Sequence, residues 1–408
     1  MRTTKFYTLG CKVNQYDTQS IRESFLSRGF KEAGNGITAD VYVVNTCTVT
    51  ADADRKSRNI IRHCARSKGK GKVIVTGCLV EKDIEALSRI EGVDFIVSKK
   101  FFREGISGFG ERARAFIKIQ DGCNNRCSYC KVPLVRGNSR SRLMSDIVCE
   151  ARRVVASGHK EIVLTGICLG AYVNGRGKKD SLIRLIEKLE KISGLVRIRL
   201  SSIEAAYVNN DLISKMADSA KLCPHLHIPI QSGDDTVLKM MNRNYTRRAY
   251  LNLIDSVKKS VLDIAITTDI MVGFPGEKEA NFSNTLDLIK EIGPLRTHIF
   301  PFSPREGTPA YSLGCRPDPL LVKERIKILR TEAEKRAYIF KKNYIGKNME
   351  VLFETASNED KSLWEGYTRN YIPVFAYSSL NLTNKIAYLT ISKVLRDRAL
   401  AEEISEKL

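Results

Sequence analysis

The segment Asp121-Gly-Cys-Asn-Asn-Arg-Cys-Ser-Tyr-Cys130 determines how the rest of the chain is interpreted. It places Cys123, Cys127 and Cys130 at C-x3-C-x2-C spacing, directly after residues 115–120, whose alternating apolar pattern predicts a β-strand. A loop that leaves a strand can wrap three thiolates around one face of an iron–sulfur cube, which is usually held by four. Because three ligands leave one iron open, this spacing predicts a cluster whose free iron binds a substrate or a cofactor.

A zinc site is the main alternative for cysteines that lie two residues apart. A structural zinc site needs a fourth Cys or His nearby, and none follows Cys130 at zinc-ligand spacing. The ligand count and the position after a strand therefore favour iron–sulfur over zinc.

The composition indicates two or three domains and a polyanionic partner. The chain has 408 residues, of which 43% are hydrophobic, so it can bury a substantial core. The 11 cysteines, in a chain whose start does not resemble a signal peptide, favour metal or redox chemistry in a reducing cytosol over a disulfide framework. No apolar run approaches bilayer length, so we expect a cytoplasmic protein without a membrane span. The net charge of +21 makes nucleic acid the first candidate partner, although a basic protein can also simply be soluble in its host.

Within residues 1–110, three strand-like segments each end just before a cysteine. These are Cys11, Cys47 and Cys78, and a helical stretch follows each of them. Alternating strands and helices predict a parallel α/β sandwich, in which ligands bind beyond the carboxyl ends of the strands. We therefore expect the three cysteines to meet at one edge as a second set of three thiolates, although each cysteine alone would suit a small buried apolar position.

Within residues 111–340, strand and helix patterns alternate again. Six βα units predict an open, partial (β/α)6 barrel with its chemistry at the carboxyl ends of the strands. Gly166, Ser202 and Gln231 follow three of these strands. Glycine lets a ligand approach the backbone, and polar side chains supply hydrogen bonds, so we expect the three to line the cofactor and substrate cleft. Each of them alone could also be an ordinary turn residue.

In residues 341–408 the apolar pattern changes to short β-like runs separated by polar turns, which predicts a small antiparallel β-barrel. The tail from Asp397 onward is interpreted as a charged helix end. Trp364, Tyr367 and Tyr371 could stack on exposed bases or could fill the barrel core.

Three arginines close to the metal loop also leave two interpretations open. In a basic protein they could grip RNA phosphate, or they could form a solvated face. They are Arg136, Arg140 and Arg142.

At its central cysteines the chain resembles the radical S-adenosylmethionine (SAM) superfamily. That resemblance implies that SAM chelates the open iron, that Tyr129 lies near the adenine, and that Gly166, Ser202 and Gln231 belong to the SAM cleft. Over nearly the whole chain, strings such as Val44-Asn-Thr-Cys-Thr-Val49 and Phe302-Ser-Pro-Arg-Glu-Gly-Thr-Pro309 resemble the methylthiotransferase family.

The methylthiotransferase resemblance implies an auxiliary [4Fe–4S] cluster on Cys11, Cys47 and Cys78, and hence two clusters in all. It also implies that the C-terminal barrel is similar to the TRAM domain, an RNA-binding module. Cys168 stands where relatives often carry His or Asn, close to the expected SAM edge. It could be a bystander, a reactive thiol or an adventitious ligand, and we interpret it first as a bystander.

Gly10-Cys-Lys-Val-Asn-Gln15 is similar to the members that act on N6-threonylcarbamoyladenosine. The implied reaction is methylthiolation of C2 of that nucleoside at position 37, in the anticodon loop of tRNA. The alternatives are the same chemistry on isopentenyladenosine or on a ribosomal protein, and a non-catalytic iron–sulfur RNA-binding protein. An electron donor and a sulfur source are implied but not identified by the residues, and a monomer is expected because both sites fit within one chain.

Overall fold

The computed structural model describes residues 2–34, 36–102, 104–110, 112–175 and 181–404. The N-terminal part alternates strands and helices: β1 (Thr3–Thr8), α1 (Lys12–Leu26), β2 (Lys31–Glu32), β3 (Val41–Thr46), α2 (Ala51–Ser67), β4 (Lys72–Gly77), α3 (Ile84–Ser88) and β5 (Phe95–Ile96). The strands form one parallel sheet in the order β2-β1-β3-β4-β5. The predicted parallel α/β layer is therefore confirmed, with the three predicted strands at its centre. The two edge strands were missed because two residues carry no detectable periodicity.

The register of this sheet aligns the ends of its three central strands. Thr8 of β1 lies opposite Asn45, and Thr46 of β3 lies opposite Gly77 of β4. The loops that follow β1, β3 and β4 consequently leave the sheet at the same edge.

The central part contains the following elements: β6 (Arg114–Asp121), α4 (Val132–Arg136), β7 (Arg140–Ser141), α5 (Met144–Ala156), β8 (Glu161–Gly166), α6 (Ser181–Glu190), β9 (Arg197–Leu200), α7 (Asn210–Asp218), β10 (His225–His227), α8 (Asp235–Met240), α9 (Arg247–Ser260), β11 (Ala265–Val272), α10 (Glu279–Ile292), β12 (Arg296–Pro301) and α11 (Pro319–Lys342). Strands β6, β8 and β9 are parallel neighbours, as are β10, β11 and β12. A parallel bridge between Ser202 and His227 joins the two groups. Six parallel strands thus form the open barrel that the sequence predicts.

Strand β6 shows how the sequence pattern builds the barrel wall. Ile117 and Ile119 are fully buried and belong to the core that includes Ile147 of α5. Lys118, between them, points the other way and pairs with Asp17 of α1 at 2.6 Å. The period of two in a strand therefore places the apolar side chains against the helices and the polar ones inside the barrel.

The C-terminal part is a closed five-stranded barrel. Its strands are β13 (Asn348–Ala356), β14 (Leu363–Thr368), β15 (Pro373–Tyr377), β16 (Ile386–Val394) and β17 (Ala399–Ala401), in the order β13-β14-β15-β17-β16. The helical interpretation of the tail from Asp397 is wrong, because Ala399–Ala401 pairs with both β15 and β16. Closing the barrel satisfies two strand edges that would otherwise stay open, and this tertiary pairing overrides the local preference of a charged tail.

The C-terminal barrel docks on the amino ends of the central strands. Arg197 of β9 is fully buried and donates to Glu350 Oε1 at 2.6 Å and to the carbonyl of Tyr367 at 3.0 Å. Arg199 donates to Glu161 Oε1 at 2.6 Å and to the carbonyl of Arg369 at 2.9 Å. Two neighbouring arginines thus connect the two barrels through charge-assisted hydrogen bonds.

The aromatic residues proposed for base stacking lie at this junction or in the barrel core. Tyr367 and Tyr371 stack on each other with ring centroids 5.1 Å apart, and the guanidinium of Arg114 lies 4.5 Å from the first ring and 5.2 Å from the second. Trp364 is buried among the apolar side chains of the barrel. The packing interpretation therefore holds for all three, because they join or fill the barrels.

Substitution of Glu161, the ion-pair partner of Arg199, tests the interface between the two barrels. Burial alone would raise the pKa of this carboxyl, but the charges of Arg199, Arg114 and Arg197 lower it to about 2. A carboxyl whose pKa is depressed on folding stabilises the protein above its unfolded pKa and loses that contribution as pH falls toward the folded pKa. We therefore expect Glu161→Gln to lower the free energy of unfolding by about 3 kcal/mol at pH 7, with the difference from wild type shrinking between about pH 4.5 and pH 2.

Urea unfolding at several pH values measures this difference directly. The exposed Glu187→Gln on α6 is the matched control and should behave as wild type. A Glu161→Gln protein as stable as this control at pH 7 would show that the ion pair contributes nothing.

Among the described residues, no helix combines the length and the apolar character needed to cross a bilayer.

Candidate active site

The loop after β6 carries the first cysteine set. Gly122, immediately before Cys123, has φ +73°, and a Cβ at this position would lie 2.1 Å from the carbonyl oxygen of Asn138. The N–H of Cys123 donates to the carbonyl of Gly137 at 3.1 Å. A glycine at this position therefore lets the two ends of the cysteine loop approach each other closely.

Ser128 anchors the same loop to the rest of the barrel. Its N–H donates to the carbonyl of Met241 at 3.0 Å, and its hydroxyl donates to that of Met240 at 2.8 Å. Its own carbonyl accepts from the N–H of Ala310 at 2.8 Å. Cys127 and Cys130 flank a residue with three backbone partners, so the thiols are presented on a fixed loop.

The second set, Cys11, Cys47 and Cys78, lies at the aligned edge of the N-terminal sheet. Gly10 has φ +97°, and a Cβ there would lie 2.9 Å from Cys47 Sγ, so glycine allows the first cysteine loop to approach the second. Cys78 Sγ lies 3.9 Å from Asn14 Oδ1. The structure thus brings the three residues to one edge of the sheet.

Burial keeps several of these thiols protonated when no metal is bound. It raises the pKa of Cys47 to about 11 and that of Cys130 to about 12, and it also raises the pKa of Cys78 and Cys127. A thiolate is the form that ligates metal, so metal binding has to release protons from these groups.

The spacing of the thiols fits a cluster better than a single ion. Thiolates around one tetrahedral zinc lie about 3.8 Å apart, given a Zn–S bond of about 2.3 Å. Among the described residues, the His, Cys, Asp and Glu groups whose ligand atoms all lie within 4.8 Å of one another do not include either cysteine set. A [4Fe–4S] cluster is held by Cys thiolates, and the three cysteines of each set leave one iron of such a cluster open.

A buried arginine connects the two sets. Arg136 is 4% exposed, donates to Asp121 Oδ1 at 2.8 Å and also donates to Asn14 Oδ1. Asn14 in turn donates to the carbonyls of Leu9 at 2.7 Å and Thr46 at 2.9 Å. Arg136 therefore links the start of the first cysteine loop to the loops that carry the second set.

Two of the three arginines proposed for phosphate contact are unavailable to RNA. Arg136 is enclosed as described, and Arg142 donates to the hydroxyl of Tyr16 at 2.8 Å and pairs with Glu150 at 2.6 Å. Arg140 alone remains exposed. Buried carboxylates attract these cations, and no local sequence pattern indicated those partners.

Arg243 connects Tyr129 to the segment that follows Ser202. Arg243 donates to the Tyr129 hydroxyl at 2.7 Å and pairs with Glu204, two residues after Ser202. Gly166 is the last residue of β8 and lies opposite Gln120 of β6, just before the first cysteine loop. The sequence analysis assigned no role to Arg243, because its importance appears only when the two segments meet.

Among the predicted cleft residues, Gln231 has the features most typical of a ligand contact. Its φ is +75°, a region that favours glycine, and its side-chain Oε1 is buried without a hydrogen-bond partner among the described residues. A strained backbone and an unpaired buried acceptor each cost free energy, and both are common at ligand sites. A cofactor group that donates to Gln231 fits this arrangement.

Cys168 lies beside the first cysteine set. Its N–H donates to Gln120 Oε1 at 2.8 Å, its Sγ accepts from the side chain of Asn125 at 3.9 Å, and a hydrogen bond from its S–H lowers the pKa of the Cys123 thiol. A seventh thiol therefore touches the first cysteine set, through a strand-end contact that the sequence did not reveal.

Comparison with known proteins agrees with this geometry. Residues 117–289 match the Radical SAM superfamily, and residues 3–98 match the Uncharacterized protein family UPF0004. The chain is 38% identical to the threonylcarbamoyladenosine tRNA methylthiotransferase MtaB of Bacillus subtilis, over 96% of this chain and 94% of that one. It is 31% identical to the tRNA-2-methylthio-N(6)-dimethylallyladenosine synthase of Acetivibrio thermocellus, over 95% of this chain and 88% of that one.

Solved structures agree at the level of the fold. The radical SAM methyltransferase TsrM from Kitasatospora setae superposes with a TM-score of 0.55 at 13% identity, over 76% of each chain. Together with relatives above 30% identity along almost the whole sequence, this shows that the chain belongs to the radical SAM tRNA methylthiotransferase family.

Proposed function

We propose that this protein transfers a methylthio group to C2 of N6-threonylcarbamoyladenosine at position 37 of tRNA. The observation that carries the proposal is the pair of three-cysteine sets joined by the buried Arg136. The set after β6 and the set at the edge of the N-terminal sheet would each hold a cluster with one open iron. A sulfur transfer that uses SAM requires two such clusters in one cleft.

Each cysteine set has a separate role in this proposal. Cys123, Cys127 and Cys130 hold the cluster that binds SAM, with Tyr129, Gly166, Ser202 and Gln231 around the cofactor. Cys11, Cys47 and Cys78 hold the auxiliary cluster. When bound, these groups supply reductive cleavage of SAM, a carbon-centred radical able to activate an aromatic C–H, and the sulfur to be methylated.

The chain itself positions these groups and controls their surroundings. Ser128 fixes the loop that carries the SAM-binding thiols, and Arg136 sets the relation of that loop to the auxiliary set. Gln231 presents an acceptor to the cofactor, and Arg243 orients the hydroxyl of Tyr129.

The choice of nucleoside rests on two observations. Identity is higher to the threonylcarbamoyladenosine enzyme of Bacillus subtilis, at 38%, than to the dimethylallyladenosine synthase, at 31%. The string Lys12-Val-Asn-Gln15 after the first cysteine points the same way. The same chemistry on isopentenyladenosine is the second candidate.

The remaining features belong to the same proposal. Residues 1–110 form the auxiliary-cluster domain, residues 111–340 the radical SAM core, and residues 341–408 a TRAM-like domain that contacts the anticodon stem-loop of tRNA. Tyr388 and Tyr377 are 67% and 50% exposed on that barrel, and they replace Trp364, Tyr367 and Tyr371 as candidates for base stacking. The enzyme acts as a cytoplasmic monomer that takes its electrons and its sulfur from other cellular components.

Purified protein tests the reaction directly. We expect anaerobically reconstituted protein, with SAM, a reductant and a sulfide source, to convert an anticodon stem-loop RNA bearing N6-threonylcarbamoyladenosine into its 2-methylthio form. Mass spectrometry of the digested RNA detects the product. Formation of 5′-deoxyadenosine without any methylthio nucleoside, on this RNA or on the isopentenyl RNA, would contradict the proposal.

A further inference from the structure

A cavity of about 390 Å³ lies inside the barrel, where it is lined by side chains of all six parallel strands and by Tyr371 of the C-terminal barrel. Four cationic side chains line it, Lys12, Arg114, Arg199 and Arg296. None of its lining residues is acidic, as far as the described part of the chain extends. The cavity therefore has an excess of positive charge.

Two of these four cations are neutralised from outside the cavity. Arg114 pairs with Glu354 at 3.1 Å, and Arg199 pairs with Glu161 at 2.6 Å. Lys12 and Arg296 have no carboxylate partner among the described residues, and the guanidinium of Arg296 lies 5.6 Å from the centre of the Tyr371 ring. Both side chains are partly buried and share one cavity. Two like charges without a counter-charge repel each other there, so this pair indicates an anionic ligand.

Neighbouring groups respond to this positive field. Burial alone would raise the pKa of Tyr371, but the charges of Arg114, Lys12 and Arg199 bring it below its ordinary value. The pKa of His298 is lowered, first by burial and then by the charges of His227, Arg296 and Lys12. The charge of Asp269 acts in the opposite direction.

The same field argues against a metal ion in the cavity. His227, Asp269 and His298 have ligand atoms within 4.8 Å of one another, yet Lys12 and Arg296 would repel a cation held there. A short contact of 3.2 Å between His227 Nε2 and Asp269 Oδ1 already uses this carboxylate.

The cavity adjoins the cleft of the proposed reaction on two sides. Lys12 directly follows Cys11 of the auxiliary set, and Ser202, which the proposed function places beside SAM, lines the cavity. An adenine held with its C2 between the two cysteine sets would direct its N6 substituent toward Lys12 and the cavity.

Within the string Lys12-Val-Asn-Gln15, only the first side chain lines the cavity. Val13 is buried at 2% exposure, Asn14 binds backbone carbonyls, and Gln15 accepts from Arg112 at 2.6 Å. The other three residues of the string thus serve the local fold.

We infer that this cavity binds the carboxylate of the threonylcarbamoyl group on N6 of the substrate adenosine, with Lys12 and Arg296 as its counter-charges. The inference rests on the proposed function and names the residues that set its specificity. The isopentenyl group carries no charge and would leave both cations unpaired, so the cavity selects against it. A backbone phosphate of folded RNA is the other possible anion, but it would have to enter the interior of the barrel, whereas a splayed base can insert its substituent.

Three stem-loop RNAs that differ only at position 37 test this inference. They carry N6-threonylcarbamoyladenosine, its neutral analogue with the threonine carboxylate converted to an amide, and unmodified adenosine. Fluorescence anisotropy of anaerobically reconstituted protein gives the affinity for each RNA, and turnover on the first two gives kcat/KM.

We expect wild type to prefer the acid over the amide, and Lys12→Met or Arg296→Met to lower affinity and kcat/KM for the acid RNA by about 10- to 100-fold while leaving the amide RNA unchanged. Lys188→Met, an exposed lysine on α6, is the matched control and should leave every value unchanged. Iron content and circular dichroism verify that each variant is folded.

Two results would overturn the inference. Equal binding of acid and amide by wild type would mean that the carboxylate is not recognised, and an equal loss on all three RNAs in Lys12→Met would assign that lysine to phosphate. Failure of the proposed function is a separate result, in which wild type discriminates between the RNAs in binding but forms no methylthio nucleoside on any of them.

Discussion

Cys11→Ala protein should still cleave SAM to 5′-deoxyadenosine but should transfer no methylthio group to RNA. The variant removes a ligand of the set at the sheet edge and leaves intact the loop after β6, which Ser128 anchors independently. Iron should fall from about eight to about four atoms per chain, as loss of one of two cubes requires. Cys123→Ala should also retain about four irons but form neither 5′-deoxyadenosine nor product.

Three measurements on these two variants distinguish the roles of the two sets: iron analysis, chromatography of 5′-deoxyadenosine, and nucleoside mass spectrometry. Cys149→Ala is the matched control, because this cysteine is exposed on α5 and lies outside both sets. Methylthio transfer by Cys11→Ala at the wild-type rate would contradict an auxiliary cluster on that residue. Loss of SAM cleavage in both variants would show that the two sets do not act separately.

Arg136→Met should lower the free energy of unfolding by about 3 kcal/mol, at the lower end of the range for breaking a buried ion pair. The guanidinium is 4% exposed and pairs with Asp121 at 2.8 Å, so its removal leaves a buried carboxylate. Lys118 remains 3.6 Å from that carboxylate, which limits the loss. Because Arg136 also binds Asn14, methylthio transfer should fall more than SAM cleavage does.

Chemical denaturation of anaerobically prepared protein measures the stability change. Arg140→Met is the matched control, since this exposed arginine lies four residues later and its replacement should change stability by less than about 0.5 kcal/mol. Arg136→Lys keeps the positive charge but lacks the planar guanidinium that donates to two groups at once. Its free energy of unfolding should lie between those of wild type and Arg136→Met. Equal stability of the two methionine variants would contradict a bridging role for Arg136.

The sequence predicts those parts of the site that depend on local pattern. A period of two followed by a cysteine places Cys11, Cys47 and Cys78 at strand ends, and parallel topology then brings the ends to one edge. The six-strand barrel follows from alternation in the same way. Strand β17 was missed because three residues carry too little pattern, and its conformation is fixed by the open edges of β15 and β16.

The charged residues of the site could not be placed from the sequence. Whether Arg136 meets solvent, phosphate or a buried carboxylate depends on Asp121 and Asn14, which come from separate parts of the fold. Lys12 reaches the cavity because α1 packs against β6, a contact fixed by the Lys118–Asp17 pair across 101 residues of chain. Side chains with long-range partners of this kind have no local signature.

The most direct test of the central proposal is nucleoside mass spectrometry of total tRNA from a host strain that lacks this gene, with and without the gene restored. The account predicts that 2-methylthio-N6-threonylcarbamoyladenosine disappears while its unthiolated parent accumulates, and that restoring the gene reverses both changes. Loss of the isopentenyl analogue instead would keep the chemistry and contradict the substrate. An unchanged level of both methylthio nucleosides would contradict the proposed function itself.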